Sequence, residues 1–372
     1  MTQPQRGPLA HLHDGLAALE RRGLRRVSPS AERDRGLSFC SNDYLGMAGR
    51  LAPTTAVTGS GASRLLAGER VAHGELERAF AEWLRVDACL AFTSGYAANV
   101  GALAALASPE DLIVSDALNH ASLIDGARLS RARVAIVGHN DLGAIADALA
   151  KRTESRAWVV VESYYSMDAD GPDLPELRRI CDAHGAGMYV DEAHALGVLG
   201  PEGRGRCAEA GVAPDVLVGT LGKAFGSQGA FVAGASVLRE WLWNRARSFV
   251  FSTGLAPVAA VAARLALEEI LRSPALRVRV ADLSTRLREG LVALGLHPIG
   301  FGHVVPVVVG ASDRAIDLSR RLAEHGVDVP PIRPPTVPDG TARLRLTVTA
   351  RHEERDIDSV LTAFRRTIEA AR

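Results

Sequence analysis

Apolar residues recur in two rhythms along the chain. Short, nearly unbroken apolar runs stand at 88–92, 112–115, 134–137, 157–162, 187–190, 216–219 and 230–233, and stretches with helical spacing lie before the first of them at 73–85 and between others at 96–106 and 141–150. Runs without polar alternation suit strands covered on both faces, so the pattern predicts an α/β fold with a mostly parallel central sheet. Past residue 256 the rhythm changes. A long helical region over 256–294 is followed by a strand-like 304–309, a helix over 312–325, a strand-like 342–348 and a helix over 352–368, which together predict a small α+β lobe. Residues 10–26 read as a helix with an Arg-rich end, and 37–46 as a short apolar and turn segment. The expected division is an N-terminal arm 1–48, a large domain 49–258 and a small C-terminal domain 259–372.

Composition narrows the partners. In 372 residues, Lys+Arg and Asp+Glu balance at 43 each, so no whole-chain field favours nucleic acid or an anionic membrane, and any anion site must be local. The four cysteines are scattered and include no C-x-x-C pair, which fits neither a disulfide framework nor a zinc site and points to a reducing cytoplasm. The longest apolar stretch, 258–267, contains Arg264 and is too short to cross a bilayer.

The chemistry gathers where strands are expected to end. Asp191 and His194 follow one apolar run, and Thr220 and Lys223 follow the next; open α/β sheets bind ligands outside the carboxyl ends of their strands. A lysine in an apolar, glycine-flanked turn is partly desolvated, which lowers its pKa and frees a nucleophilic amine for a carbonyl cofactor; a solvated loop lysine is the competing reading. Ala224 follows Lys223, so no Walker A loop is present. Asp191 could pair with a protonated pyridine nitrogen or could cap a helix. Residues 93–99, between a strand and a helix, could offer backbone donors to a phosphate, with Gly95 permitting close approach, or could form a simple Ser cap. Alternation places Arg343 and Arg345 on one strand face, where Arg345 could clamp a carboxylate.

These segments, taken in order, resemble the α-oxoamine synthases, fold-type I enzymes dependent on pyridoxal 5'-phosphate (PLP). The resemblance is carried by SNDYLG at 41–46, GSGASR at 59–64, TSGYAAN at 93–99, NHASLIDG at 119–126, SYYSMDAD at 163–170, VDEAHALGVLGPEGRG at 190–205 and TLGKAFG at 220–226. The segment IRPPTVP at 332–338 and the following GTARLRLTVTARHE resemble the biotin-pathway member, which implies L-alanine and a pimeloyl thioester, on coenzyme A or acyl carrier protein, as substrates. The resemblance implies Lys223 as the Schiff-base lysine and base, Asp191 as the partner of the pyridine nitrogen and His120 as the stacking residue. Gly95, Tyr96 and Thr220 would hold phosphate, while Ser166 and His194 would contact the phenolic oxygen. Arg345 would take the amino-acid carboxylate, with Arg25, Asn42, His120 and Thr336 completing the substrate site. Ser252 and Thr253 would reach the phosphate of a second subunit, since such sites lie at a homodimer interface. One departure is a shortened stretch between Gly46 and Gly59, which alters the approach to the site. A glycine-using member of the family and a PLP aminotransferase are the alternative readings.

Overall fold

The computed structural model describes residues 10–22, 24–25, 36–50 and 57–369. Its strands are β1 (Leu37–Ser38), β2 (Ala88–Phe92), β3 (Asp111–Asp116), β4 (Arg133–Val137), β5 (Arg156–Glu162), β6 (Gly187–Asp191), β7 (Val216–Thr220), β8 (Ala230–Gly234), β9 (Val304–Gly310), β10 (Val327–Asp328), β11 (Pro331–Ile332) and β12 (Ala342–Thr347). A seven-stranded sheet has the order β2-β8-β7-β6-β5-β3-β4. All its pairings are parallel except those that β8 makes with β2 and β7.

Both faces of this sheet are covered, which is why its strands read as runs. Leu112 and Val114 turn to the face packed by Ile145, Leu149, Leu174 and Leu177, while Ile113 between them turns to the face packed by Ala98, Leu103 and Leu123. Helices Leu142–Ala150 and Leu174–Ala183 close the first face, and Gly95–Leu106, Ala121–Ser130 and Ser236–Arg245 the second. The apolar run at 230–233 is a strand as expected, but it runs against its neighbours. A short loop joins β7 to β8 in place of a crossover helix, and only antiparallel strands can be joined so closely.

A second core is built on the three-stranded antiparallel sheet β11-β12-β9. Leu344 and Leu346 of β12 meet Val305 and Val307 of β9, with Leu287 and Leu291 of helix Ala275–Ala293 and Val360 and Phe364 of helix Glu354–Glu369 above them. The helical region over 256–294 is two helices, Pro257–Arg272 and Ala275–Ala293, interrupted at Ser273 and Pro274. Proline lacks the amide that would continue the first helix's hydrogen bonds. The N-terminal helix is described over Ala10–Arg21, and part of its expected extension to residue 26 lies outside the described residues. β1 pairs with β10, and Phe39 stacks on His352 at 4.4 Å, so the segment before the large sheet is tied to the C-terminal part of the chain.

Candidate active site

The carboxyl ends of β5, β6 and β7 place Glu162, Asp191 and Thr220 along one edge of the large sheet, with Glu162 and Asp191 in register. The segments after β2 and β3 add Gly95 and His120 at the same edge, and the β7–β8 loop adds Lys223. That loop is held by Leu221 N donating to Gly229 O, Ser227 N to Leu221 O and Gly226 N to Lys223 O. Gly226 has a φ of +57°, and a Cβ there would lie 2.2 Å from the Ala48 amide nitrogen. The lysine loop is thereby seated against the 47–48 backbone, and only glycine fits.

Lys223 is half-buried, and among the described residues its ammonium makes no hydrogen bond or ion pair. Desolvation lowers its pKa to about 8, although Asp191 and Glu162 favour the charged form; Arg345 adds to the lowering. The sequence holds two lysines, and the other, Lys151, is an exposed partner of Asp147 at 2.9 Å. This scarcity is a signal in the sequence that motif reading passed over: Lys223 is the only lysine amine set within the protein.

Asp191 is buried and its carboxylate is fixed from two sides. Oδ2 accepts from Asn99 Nδ2 at 2.7 Å and Oδ1 accepts from the Ala193 amide at 2.8 Å. Asn99 also donates to Ser122 Oγ at 2.9 Å and accepts from Tyr189 Oη at 2.9 Å, so the aspartate is oriented by a saturated network. Glu162 accepts from the His120 amide at 2.8 Å, and burial, reinforced by Asp191, raises its pKa to about 8. His120 caps helix Ala121–Ser130, its Nδ1 lying 2.8 Å from Ser122 Oγ. Burial and the Lys223 charge favour neutral imidazole there, against the pull of Asp191.

His194 is buried with Nδ1 2.6 Å from Tyr44 Oη. Desolvation and the charges of Lys223 and Arg345 hold its pKa well below the ordinary value, while burial pushes the Tyr44 phenol up to about 12. Tyr44 Oη also lies 3.3 Å from Asn42 Oδ1, to which it can donate, so the Tyr44 contact suits either neutral tautomer of His194. At the phosphate end, Ser94 caps helix Gly95–Leu106 by accepting from the Ala97 amide at 3.1 Å. A Cβ on Gly95 would lie 3.9 Å from Thr220 Oγ1, so hydroxyl and helix start converge. The Tyr96 hydroxyl donates to Asp125 Oδ2 at 2.6 Å, leaving the Tyr96 contribution to an anion at its backbone. Ser252 and Thr253 line a small cavity with Thr93 and Arg64, beside this helix start.

β12 contributes the opposing wall. Arg343 is ion-paired with Asp168 Oδ1 at 2.7 Å, whereas Arg345, only 4% exposed, has no carboxylate partner among the described residues. Arg345 donates to Ser166 O at 2.6 Å, Asn42 Oδ1 at 3.2 Å and Thr347 Oγ1 at 3.0 Å. A buried guanidinium bonded only to neutral oxygens is a site for an anion from outside the chain. Arg345 thus stands with Asn42 and Ser166. The described position of Arg25 is an exposed one on the N-terminal segment, paired with Glu20, and Thr336 is exposed in the proline-rich turn. Sequence reading left Glu162 without a role and took Asn99 and Tyr44 only as letters of motifs. Each acts through a contact with a residue more than forty positions away or, for Tyr44, 150 away.

The described residues fit PLP: an unpartnered amine, a fixed buried carboxylate, a neutral histidine pair and a helix start backed by a hydroxyl meet at one sheet edge. The model of the class I and II aminotransferases matches residues 34–364. The chain is 44% identical to an 8-amino-7-oxononanoate synthase of Anaeromyxobacter dehalogenans, covering 96% of each chain, and 45% identical to one of Mycolicibacterium gilvum, covering 94% of each. Among solved structures it resembles a serine palmitoyltransferase of S. paucimobilis with a bound PLP–myriocin aldimine (TM-score 0.90, 26% identity, 98% of this chain and 99% of that one). It also resembles an 8-amino-7-oxononanoate synthase of Francisella tularensis (TM-score 0.78, 25% identity, 91% and 99%). The chain belongs to the class I and II aminotransferase family and, within it, to the group of the 8-amino-7-oxononanoate synthases.

Proposed function

We propose that this protein is a PLP-dependent acyltransferase that condenses L-alanine with a pimeloyl thioester, giving 8-amino-7-oxononanoate, carbon dioxide and the free carrier thiol, a step of biotin synthesis. The observation that carries this reading is Arg345, a buried cation with no carboxylate partner among the described residues, close enough to Lys223 for its charge to help lower the lysine pKa.

When bound, PLP supplies an electron sink for the pair left on the amino acid's Cα. Lys223 would hold the cofactor through its amine and, once alanine has displaced it, take the Cα proton; a pKa near 8 leaves a useful fraction of the amine neutral in mildly alkaline solution. Asp191, fixed by Asn99 and Ala193, would face the ring nitrogen and favour its protonated form. His120 would lie on the ring, and Ser166 and the His194 imidazole would face the phenolic oxygen. The Gly95 and Tyr96 amides and the Thr220 hydroxyl would hold the phosphate. Arg345, with Asn42, would hold the alanine carboxylate and so orient the Cα–H bond. Arg25 and Thr336 would meet the acyl chain.

The remaining readings belong with this proposal: an arm 1–48, a large domain 49–258 and a small domain 259–372, a homodimer in which Ser252 and Thr253 serve the neighbouring phosphate, and a cytoplasmic location. The four scattered cysteines, without a C-x-x-C pair, agree with that location; among the described residues no helix is long and apolar enough to cross a membrane. The test is mass spectrometry of products from alanine with pimeloyl-CoA and with pimeloyl-acyl carrier protein, and from glycine with acetyl-CoA. Formation of 8-amino-7-oxononanoate from either pimeloyl donor is expected. Turnover of glycine alone, or amino transfer to a 2-oxo acid without thioester consumption, would overturn the substrate assignment.

A further inference from the structure

At the same edge of the sheet lies a cluster to which no role has been given. His139, two residues beyond β4, contacts Asp116 at the end of β3 and Asp170 in the loop after β5: Nδ1 is 3.0 Å from Asp116 Oδ1, and Nε2 is 3.1 Å from Asp170 Oδ1. The second oxygen of each carboxylate lies at 3.2 Å. A carboxylate at each ring nitrogen requires an N–H at each, which is the imidazolium. Burial opposes that charge, but the bonds to Asp116 and Asp170 prevail and raise the pKa to about 10. Tyr165 meets the ring edge-on at 4.5 Å, and Asn140 Nδ2 lies 3.1 Å from Nε2. Among the described residues no other cation pairs with either aspartate.

Each aspartate belongs to a loop that delivers a site residue. Asp116 accepts from the Leu118 amide at 2.8 Å and opens the turn that ends at His120. Asp170 O accepts from the Tyr165 amide at 2.8 Å and closes the loop that carries Ser166, whose carbonyl in turn fixes Arg345. The Tyr165 hydroxyl donates to Asn119 Oδ1 at 3.3 Å, a second and uncharged tie between the same loops. Without a cation between them, the two aspartates would repel each other.

We propose that His139 is a positioning residue: as a cation shared by Asp116 and Asp170 it locks the His120 loop to the Ser166 loop and so sets the orientation in which the PLP ring is held. The inference rests on the PLP reading above. It is tested by titrating full-length apoprotein with PLP for the native chain, His139→Gln, Asp170→Asn and the double variant. The readouts are the dissociation constant and the circular dichroism of the bound cofactor's visible band, with the apoprotein's thermal midpoint as the control for folding.

His139→Gln is expected to weaken PLP binding by about tenfold and to change the dichroic band, while the apoprotein midpoint falls but stays well above the titration temperature, so that the variant is folded when titrated. Removing the Asp170 charge in that background should restore part of both signals, giving non-additive effects that a merely structural histidine would not produce. If the His139 variants do not fold, Asp170→Asn alone must weaken binding and alter the band. Native chain that takes up no PLP overturns the cofactor reading itself. Native chain that binds, with His139→Gln or, failing its folding, Asp170→Asn within about twofold and unchanged in dichroism, overturns only the role of His139.

Discussion

Asp191 and Arg345 face one site from two walls and are held there in different ways. Asp191 sits at the end of a strand inside a seven-stranded sheet, and its oxygens are bonded by Asn99 and a local amide, so its position is set within the large sheet and its covering helices. Arg345 comes from a three-stranded sheet with its own core, and its guanidinium is oriented by Ser166 O and Asn42 Oδ1, groups on other segments. A charge built into a sheet end is fixed as the sheet folds. A charge held across segments is fixed only when those segments meet, so Arg345 reports on assembly of the site as well as on its chemistry.

Substitutions can break that contrast in order of severity. Lys223→Ala removes the amine on which both walls converge, and loss of product formation together with loss of the visible cofactor band is expected in steady-state and absorbance measurements. Asp191→Asn keeps the shape but removes the charge, and kcat should fall by roughly 10²–10³ while the thermal midpoint changes little. On the other wall, Arg345→Lys loses the fork but keeps a cation. The KM for alanine should rise by roughly 10–100-fold with a smaller loss in kcat, the scale of one or two charge-assisted hydrogen bonds. Arg343→Met, one turn of the strand away, separates structure from substrate: it leaves Asp168 without its partner and should lower the thermal midpoint while leaving the alanine KM near native.

The smallest effects come from pH. Lys223 has a lowered pKa, so the rate at which apoprotein captures PLP should rise as pH increases through about 8 and level off above it. The sign is opposite for His139. Its pKa is raised from 6.5 to about 10, so the stability it contributes is complete below about 6.5 and is lost as pH rises through about 10, a decline that His139→Gln should flatten in thermal melts.

The large sheet was legible in the sequence because both of its faces are buried, which turns strands such as β5 and β6 into apolar runs visible without tertiary information. Strand direction was not legible: nothing in the run at 230–233 distinguishes it from its parallel neighbours, and only the short β7–β8 loop does so. The ends of strands carried the site's principal residues, since Asp191, Thr220 and Lys223 follow apolar runs directly. The groups that orient them stayed hidden. Asn99 reaches Asp191, Tyr44 reaches His194 and His139 reaches two aspartates through contacts that only the folded chain creates. That Arg343 is ion-paired while Arg345 has no carboxylate partner among the described residues was equally invisible, because alternation places both on one face and cannot say which meets Asp168.

Reduction of the PLP-loaded protein with borohydride, followed by peptide mass mapping, tests the centre of this account most directly. With two lysines in the chain the outcome is sharply defined. A pyridoxyl adduct on Lys223, with Lys151 unmodified, is the predicted result; an adduct confined to Lys151 or the N-terminal amine, or no adduct from protein that has bound PLP, would contradict it.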